Sequence, residues 1–147
     1  MNTTDKPTLQ NFHLEGVKHI APEMAMELLK KNEAVLIDVR ETFEVAIESV
    51  ELDNVLYHPM SVILDRLNFI SKNQHIILGC PEGVRSCKVA NLLNLQGYPN
   101  VANLDGGFKV WNEKGFPYRS SPLATAAGGC GCGCSTTASG KKEGGCC

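Results

Sequence analysis

The stretch Ala34-Val35-Leu36-Ile37-Asp38-Val39 is apolar at every position but one. A run of that kind lacks the polar alternation of a half-exposed strand and suits one covered on both faces, as in a parallel sheet. Further strands are expected at 17–20, 54–58, 75–78 and 101–104. Helices are expected between them: from Pro22 to Lys31, Glu41 to Ile47, Val62 to Ile70, after the loop at 80–83 to about Gln96, and Phe108 to Glu113. Pro22 suits a first helical turn, Ser61 is the expected N-cap of the helix from Val62, and Gly97-Tyr98-Pro99 stops the helix before it. Glu48 to Asp53 reads as a charged loop, and the apolar positions of Val62 to Ile70 read as a broad buried helix face. Strand and helix therefore alternate about five times. The expected fold is α/β, a mostly parallel five-stranded sheet with helices on both faces, its functional site beyond the carboxyl ends of the strands.

One such end carries chemistry. In Ile76-Ile77-Leu78-Gly79-Cys80-Pro81-Glu82-Gly83-Val84-Arg85-Ser86, an apolar strand delivers a cysteine into a short loop that opens onto a helix. The backbone N–H groups of Glu82, Gly83, Val84, Arg85 and Ser86 are expected to converge on the sulfur. The helix N-terminus adds partial positive charge and Arg85 a full one, a combination that favours a thiolate. Ser86 is placed to hydrogen-bond the sulfur from the first helical turn, and Gly83 lets the backbone turn where a Cβ would clash. A cradle of this kind admits phosphatase, arsenate reductase or sulfur chemistry.

The rest of the 147 residues limits the function classes. With 14 basic and 16 acidic residues, a net charge of −2 and no basic block longer than Lys141-Lys142, the chain has no electrostatic footprint for nucleic acid. The opening residues are polar, and no apolar run approaches the roughly 20 residues that span a bilayer. A cytoplasmic protein without a membrane partner, acting as a monomer, is the expectation. Seven cysteines are distributed unevenly, with Cys80 and Cys87 in the body and Cys130, Cys132, Cys134, Cys146 and Cys147 in the last 18 residues. That is no disulfide framework; in a reducing compartment such cysteines are catalytic or metal-binding more often than structural. Cys87 shares a helical face with Ala90 and reads as core, with a resolving thiol as the alternative. The four histidines are scattered, and none stands at a spacing from Cys80 that predicts a base.

Cys80-Pro81-Glu82-Gly83-Val84-Arg85-Ser86 fits a Cys-x-x-Gly-x-Arg-Ser pattern, and with it the chain resembles the single-domain rhodanese (sulfurtransferase) family. Leu36-Ile37-Asp38-Val39-Arg40, with Glu44 four residues on, is similar to that family's Asp-Val-Arg element. Asn103-Leu104-Asp105-Gly106-Gly107-Phe108-Lys109-Val110-Trp111 is similar to its closing Leu-x-Gly-Gly-x-x-x-Trp element. The resemblance implies that Cys80 takes a sulfane sulfur from a donor, holds it as a persulfide and passes it to a thiophilic acceptor, with Pro81 to Ser86 binding the sulfur and Asp38, Arg40 and Glu44 supporting the loop. No cofactor is required, and donor and acceptor are small molecules or proteins. The stretch Ala46-Ile47-Glu48-Ser49-Val50-Glu51-Leu52 departs from the Gly-His-Ile-Pro-Gly-Ala-like segment common in the family. Four residues separate Cys80 from Arg85, against five in Cys-x5-Arg phosphatases, and the shorter loop suits a sulfur atom better than a tetrahedral anion. Glu82 adds an anion at the rim, which favours a persulfide donor over dianionic thiosulfate.

The domain is expected over 17–122, with a flexible N-terminus at 1–16 and a flexible tail at 123–147. That tail holds seven Gly and five Cys in 25 residues and no aromatic residue, too little apolar surface to offset ordering entropy. Cys130-Gly131-Cys132-Gly133-Cys134 and Cys146-Cys147 suit a soft metal ion or a transferred sulfur, which makes a sulfur or metal carrier the alternative to an enzyme. Their spacing differs from the Cys-x2-Cys pairs of structural zinc sites. Inert low complexity and lipidation of the terminal cysteines are the remaining readings.

Overall fold

The computed structural model describes residues 2–120. Five parallel strands form one sheet in the order β1-β6-β5-β2-β4, from β1 (Lys18–Ile20), β2 (Val35–Asp38), β4 (Val55–Tyr57), β5 (Ile76–Gly79) and β6 (Val101–Leu104). The helices are α1 (Pro22–Lys30), α2 (Thr42–Ile47), α3 (Val84–Leu95) and α4 (Gly107–Glu113). Because strand side chains alternate between faces, the apolar runs divide into two cores. Ile37, Val39, Ile76, Leu78 and Val101 pack against Val89, Ala90 and Leu93 of α3. Leu36, Val55, Ile77, Ala102 and Leu104 pack against Ala25, Met26 and Leu29 of α1 and Phe108 and Trp111 of α4. Both faces are thus covered by helices, as continuous apolar runs require. Trp111 is fully buried, stacks edge-on to Phe116 and donates its indole N–H to the Pro117 carbonyl.

Three segments differ from expectation. The charged loop from Glu48 contains a strand, β3 (Glu48–Val50), paired antiparallel with β7 (Tyr118–Ser120), about seventy residues away. The stretch expected as an amphipathic α-helix at Val62 to Ile70 is a 3-10 helix over Ile63–Phe69. It buries Ile63 but leaves Leu64 and Phe69 exposed, because three residues per turn cannot hold all its apolar positions on one face. Ser61 does not cap it; its hydroxyl donates to the Glu41 carboxylate instead. The segment ahead of β1, expected as a flexible lead-in, lies against the sheet edge. Thr4 bridges His19, and the backbone N–H groups of Thr8 and Leu9 donate to the Asp105 carboxylate at 2.8 and 3.1 Å. Among the described residues no helix is long and apolar enough to cross a membrane.

Candidate active site

β5 is the central strand, and Cys80 follows its last residue directly, so the sulfur sits at the carboxyl edge of the sheet. Cys80 is buried, at 1% exposure. Its Sγ accepts from the backbone N–H of Gly83 at 3.1 Å and of Ser86 at 3.3 Å, and lies 3.3 Å from the Ser86 hydroxyl. Two amides therefore converge on the sulfur rather than five, because Gly83 in the left-handed region (φ +85°) turns the chain sharply into α3.

What keeps those amides directed inward is the neighbouring turn. Asp105-Gly106-Gly107 opens α4, and the first free N–H groups of that helix donate out of it: Phe108 to the Cys80 carbonyl and Lys109 to the Pro81 carbonyl, each at 2.9 Å. With its carbonyls held outward, the 80–83 loop presents N–H groups to the sulfur. The approach is close enough that a Cβ on Gly107 (φ +69°) would lie 2.5 to 2.7 Å from Cys80 O, Pro81 O and Gly83 N. Gln10 closes the other side, donating to the Gly83 carbonyl at 3.2 Å and accepting from the Gly106 N–H at 2.9 Å.

Arg85 is near enough to feel the Cys80 charge but is bonded to a carboxylate rather than to the sulfur. Its guanidinium makes a bidentate pair with Glu44, at 2.7 and 2.8 Å, and no hydrogen bond to the sulfur. That hydrogen-bonded pairing, with the Glu41 backbone N–H also donating to Glu44, holds the Glu44 carboxyl down at about 2 and raises Arg85 above the ordinary arginine range. Asp38 and Arg40 form a second bidentate pair at the end of β2, wholly buried, in which Arg40 lies 4.6 Å above the Phe108 ring and donates to the Tyr118 hydroxyl. Both pairs brace the elements around the loop, and neither touches the sulfur. Cys87 is fully buried in the core on α3, and burial pushes its thiol up, which removes thiolate character.

Behind the sulfur, Ser86 Oγ lies 2.5 Å from Asn103 Oδ1 on β6. Asn103, His19 and Gln10 are site residues that the sequence reading passes over. The available signal is a fully buried Asn in an otherwise apolar strand run, which must have partners.

A cavity of about 360 Å³ adjoins the loop, lined by Arg40, Glu48, Pro81, Glu82, Phe108, Lys109, Asn112, Glu113 and Tyr118. Three carboxylates face it against Lys109 and the Asp38-paired Arg40. Among the described residues no group of three or more His, Cys, Asp or Glu side chains is placed to hold a metal. The candidate tail ligands Cys130, Cys132, Cys134, Cys146 and Cys147 lie outside the described residues.

Known proteins share this fold. Residues 21–114 match the family described as Rhodanese-like domain. The chain is 31% identical over 106 residues to a thiosulfate sulfurtransferase GlpE of Actinobacillus succinogenes, an alignment spanning 69% of this chain and 90% of that one. It is 32% identical over 94 residues to the protein of the same name from Coxiella burnetii, spanning 64% and 86%. Among solved structures, a rhodanese-related protein of Thermoplasma volcanium superposes with a TM-score of 0.61 at 25% identity, covering 69% of this chain and 96% of that one. A rhodanese-like domain protein of Staphylococcus aureus gives 0.58 at 31%, covering 63% and 89%. With the match running from α1 through α4 and across the Cys80 loop, the chain belongs to the rhodanese-like domain family.

Proposed function

We propose that the protein is a sulfurtransferase that carries sulfane sulfur as a Cys80 persulfide. In the first half-reaction the Cys80 thiolate attacks the outer sulfur of a donor persulfide, R–S–S⁻. A new S–S bond forms at Cys80, the donor S–S bond breaks, and R–S⁻ leaves with the electron pair. An acceptor thiolate then attacks the outer sulfur, and Cys80 leaves as the thiolate, so the cycle is ping-pong with no net redox change. The observation that carries the reading is the cradle itself: two backbone N–H groups and a hydroxyl around one buried sulfur, within a loop one residue shorter than a phosphate-binding one. Family membership, and relatives named thiosulfate sulfurtransferase, support the reaction class.

The donor we favour is a persulfide rather than thiosulfate. Arg85 is neutralised by Glu44, and Glu48, Glu82 and Glu113 outnumber the free cation Lys109 around the adjoining cavity, which disfavours a dianion. For the acceptor we favour thiols, including the chain's own Cys130, Cys132 and Cys134. The last described strand runs along that cavity through Tyr118 and ends at Ser120, ten residues before Cys130. Ten residues reach about 33–36 Å when extended, more than twice the radius of gyration of about 14 Å expected of a domain this size. A thiol tethered so reaches millimolar effective concentration.

Treatment with a sulfane donor followed by intact-mass and peptide analysis tests both parts. One added sulfur at Cys80, cyanide-labile and absent from Cys80→Ser, is expected, with later appearance of sulfur on the 123–147 peptide. No gain with several donors overturns the enzyme reading. The carrier alternative predicts bound Cu(I) or Zn(II) that disappears on truncation after Pro122; equal metal in both chains, or none in either, removes it.

A further inference from the structure

Four fully or largely buried polar side chains run away from the sulfur in single file. Ser86 Oγ, 3.3 Å from Cys80 Sγ, meets Asn103 Oδ1; Asn103 Nδ2 lies 3.1 Å from His19 Nδ1; and His19 Nε2 lies 2.8 Å from Nδ1 of the half-buried His13. Ser86, Asn103 and His19 have no solvent exposure.

Counting hydrogens fixes the direction of each bond. Gln10 Oε1 accepts from the Gly106 N–H, and Gln10 Nε2 donates to the Phe12 and Gly83 carbonyls, so the Gln10 amide has one orientation. Asn103 Nδ2 donates to Gln10 Oε1 at 3.1 Å, which fixes Asn103 with Oδ1 toward Ser86. His19 Nδ1 must then accept from Asn103, so His19 carries its hydrogen on Nε2 and donates to His13. Burial, joined by the His13 charge and opposed by that of Asp105, lowers the proton affinity of His19, in keeping with a neutral ring. In this arrangement the single Ser86 hydroxyl hydrogen goes to Asn103 Oδ1, and the sulfur keeps only its two amide donors.

We propose that His19, with His13 as its outer member, is a positioning residue for Cys80: through Asn103 it sets whether the Ser86 hydroxyl hydrogen points at Asn103 or at the sulfur. One proton taken up by the histidine pair puts hydrogen on His19 Nδ1 whichever ring carries the charge, since the hydrogen between the rings is shared. His19 Nδ1 then faces Asn103 Nδ2 as donor against donor, and the Asn103 amide turns over. Its Oδ1 accepts from His19, its Nδ2 donates to Ser86 Oγ, and the hydroxyl hydrogen is released to Cys80 Sγ. Against this, Asn103 Oδ1 comes to face Gln10 Oε1, which keeps the turned state a minor one until the pair is protonated. The charged and titratable groups around the pair are Asp105 beside His19, Asp5 near His13 with Lys18 paired to it, and Cys80 at the inner end. By linkage, an anion at Cys80, thiolate or persulfide, favours proton uptake at the histidines.

The proposal rests on Cys80 as the reactive sulfur, but alkylation reads that thiol whichever group it transfers, so its failure is distinct from failure of the sulfurtransferase reading. In the full chain, iodoacetamide modification of the Cys80 peptide is followed by mass from pH 5 to 9. The added hydrogen bond to the anion, its effect reduced by the lower nucleophilicity of a stabilised thiolate, gives a shoulder of roughly threefold excess reactivity below pH 7. In His13→Gln, whose ring nitrogen acceptor is replaced by an amide that takes up no proton, the shoulder is lost and the two profiles converge above pH 8. Nitrogen-15 spectra of the unsubstituted protein give an independent reading: His19 protonated on Nε2 alone at pH 8, gaining hydrogen on Nδ1 as the shoulder appears. Parallel alkylation profiles across the whole range, or a His19 Nδ1–H at pH 8, overturn the proposal. If His13→Gln fails to fold, the spectra decide alone.

Discussion

Two strand-to-helix turns lie side by side at the carboxyl edge of this sheet, and they put the same geometry to opposite uses. Each enters its helix through a glycine in the left-handed region, Gly83 ahead of α3 and Gly106 ahead of α4. The turn after β5 points its N–H groups at a side-chain sulfur. The turn after β6 points its N–H groups at the carbonyls of the first. A helix N-terminus always leaves backbone donors without helical partners; which turn becomes reactive is decided by where the neighbouring carbonyls are held. The sulfur-bearing turn has two of its carbonyls held by the supporting one.

Substitution of Gly107 in the supporting turn and of Gly83 in the other tests that asymmetry. Gly107→Ala brings a methyl within 2.7 Å of three backbone atoms at a positive φ, and none of them can move without opening the Cys80 loop. Strain and overpacking together are expected to cost about 2–5 kcal/mol, read as a lower urea midpoint, with loss of sulfur loading. Gly83→Ala meets the end of the Gln10 side chain, which can swing away at the loss of its hydrogen bonds to Gly83, Gly106 and Asn103. It is expected to cost about 1–3 kcal/mol for the left-handed backbone, less than Gly107→Ala although it lies nearer the sulfur. Equal losses at the two positions would show that the β6 turn is no firmer a support than the flexible side chain.

Ser86→Ala bears on the sulfur-bearing turn and on Asn103 behind it. The two amide donors remain, the hydroxyl is lost, and Asn103 Oδ1 is left without its donor. A drop of roughly threefold in persulfide formation is expected below pH 7, where the hydroxyl hydrogen turns to the sulfur, and little change at pH 8, with a loss of about 1 kcal/mol of stability. A transfer rate unchanged below pH 7 as well would mean that backbone donors alone hold the sulfur in both protonation states. The smallest effect belongs to the brace. Glu44→Gln removes half of a partly exposed ion pair and is expected to cost about 1 kcal/mol at neutral pH. The Glu44 carboxyl lies at about 2 in the folded protein, below its ordinary 4.5, so the pair stabilises fully above pH 4.5 and loses its effect as pH falls toward 2. Acid titration of the variant should therefore show a shallower fall in stability over that window, while sulfur transfer at pH 7 survives.

The reactive turn was legible in the sequence because everything it needs is local: an apolar strand, Cys80, Gly83 and a helix start within eleven residues. The parallel sheet was legible for the same reason, since Ala34 to Val39 and Ile76 to Leu78 declare burial on both faces without reference to any partner. The support was not. Gln10 sits in a polar segment with no periodicity, and its role appears only when Asn103 and Gly106 come beside it from more than ninety residues away. The β3–β7 pairing joins Glu48-Ser49-Val50 to Tyr118-Arg119-Ser120, two short stretches without clear alternation. A helix-start cation beside a thiol reads as a charge for the sulfur, and the sequence does not show that Glu44, across the loop, takes the Arg85 hydrogen bonds. The 3-10 helix defeated a pattern reading because its apolar residues fit the α period and its backbone does not follow it.

Trp111 is the sole tryptophan of the chain and is fully enclosed on α4, the helix whose first N–H groups grip the Cys80 and Pro81 carbonyls. In the proposed sulfur transfer, a change in the loop would reach that helix through two hydrogen bonds and the indole within a single turn. Trp111 is therefore placed to act as an optical reporter of the proposed cycle. Emission recorded in a stopped flow, without label or coupled assay, should separate the loading step from the discharge step.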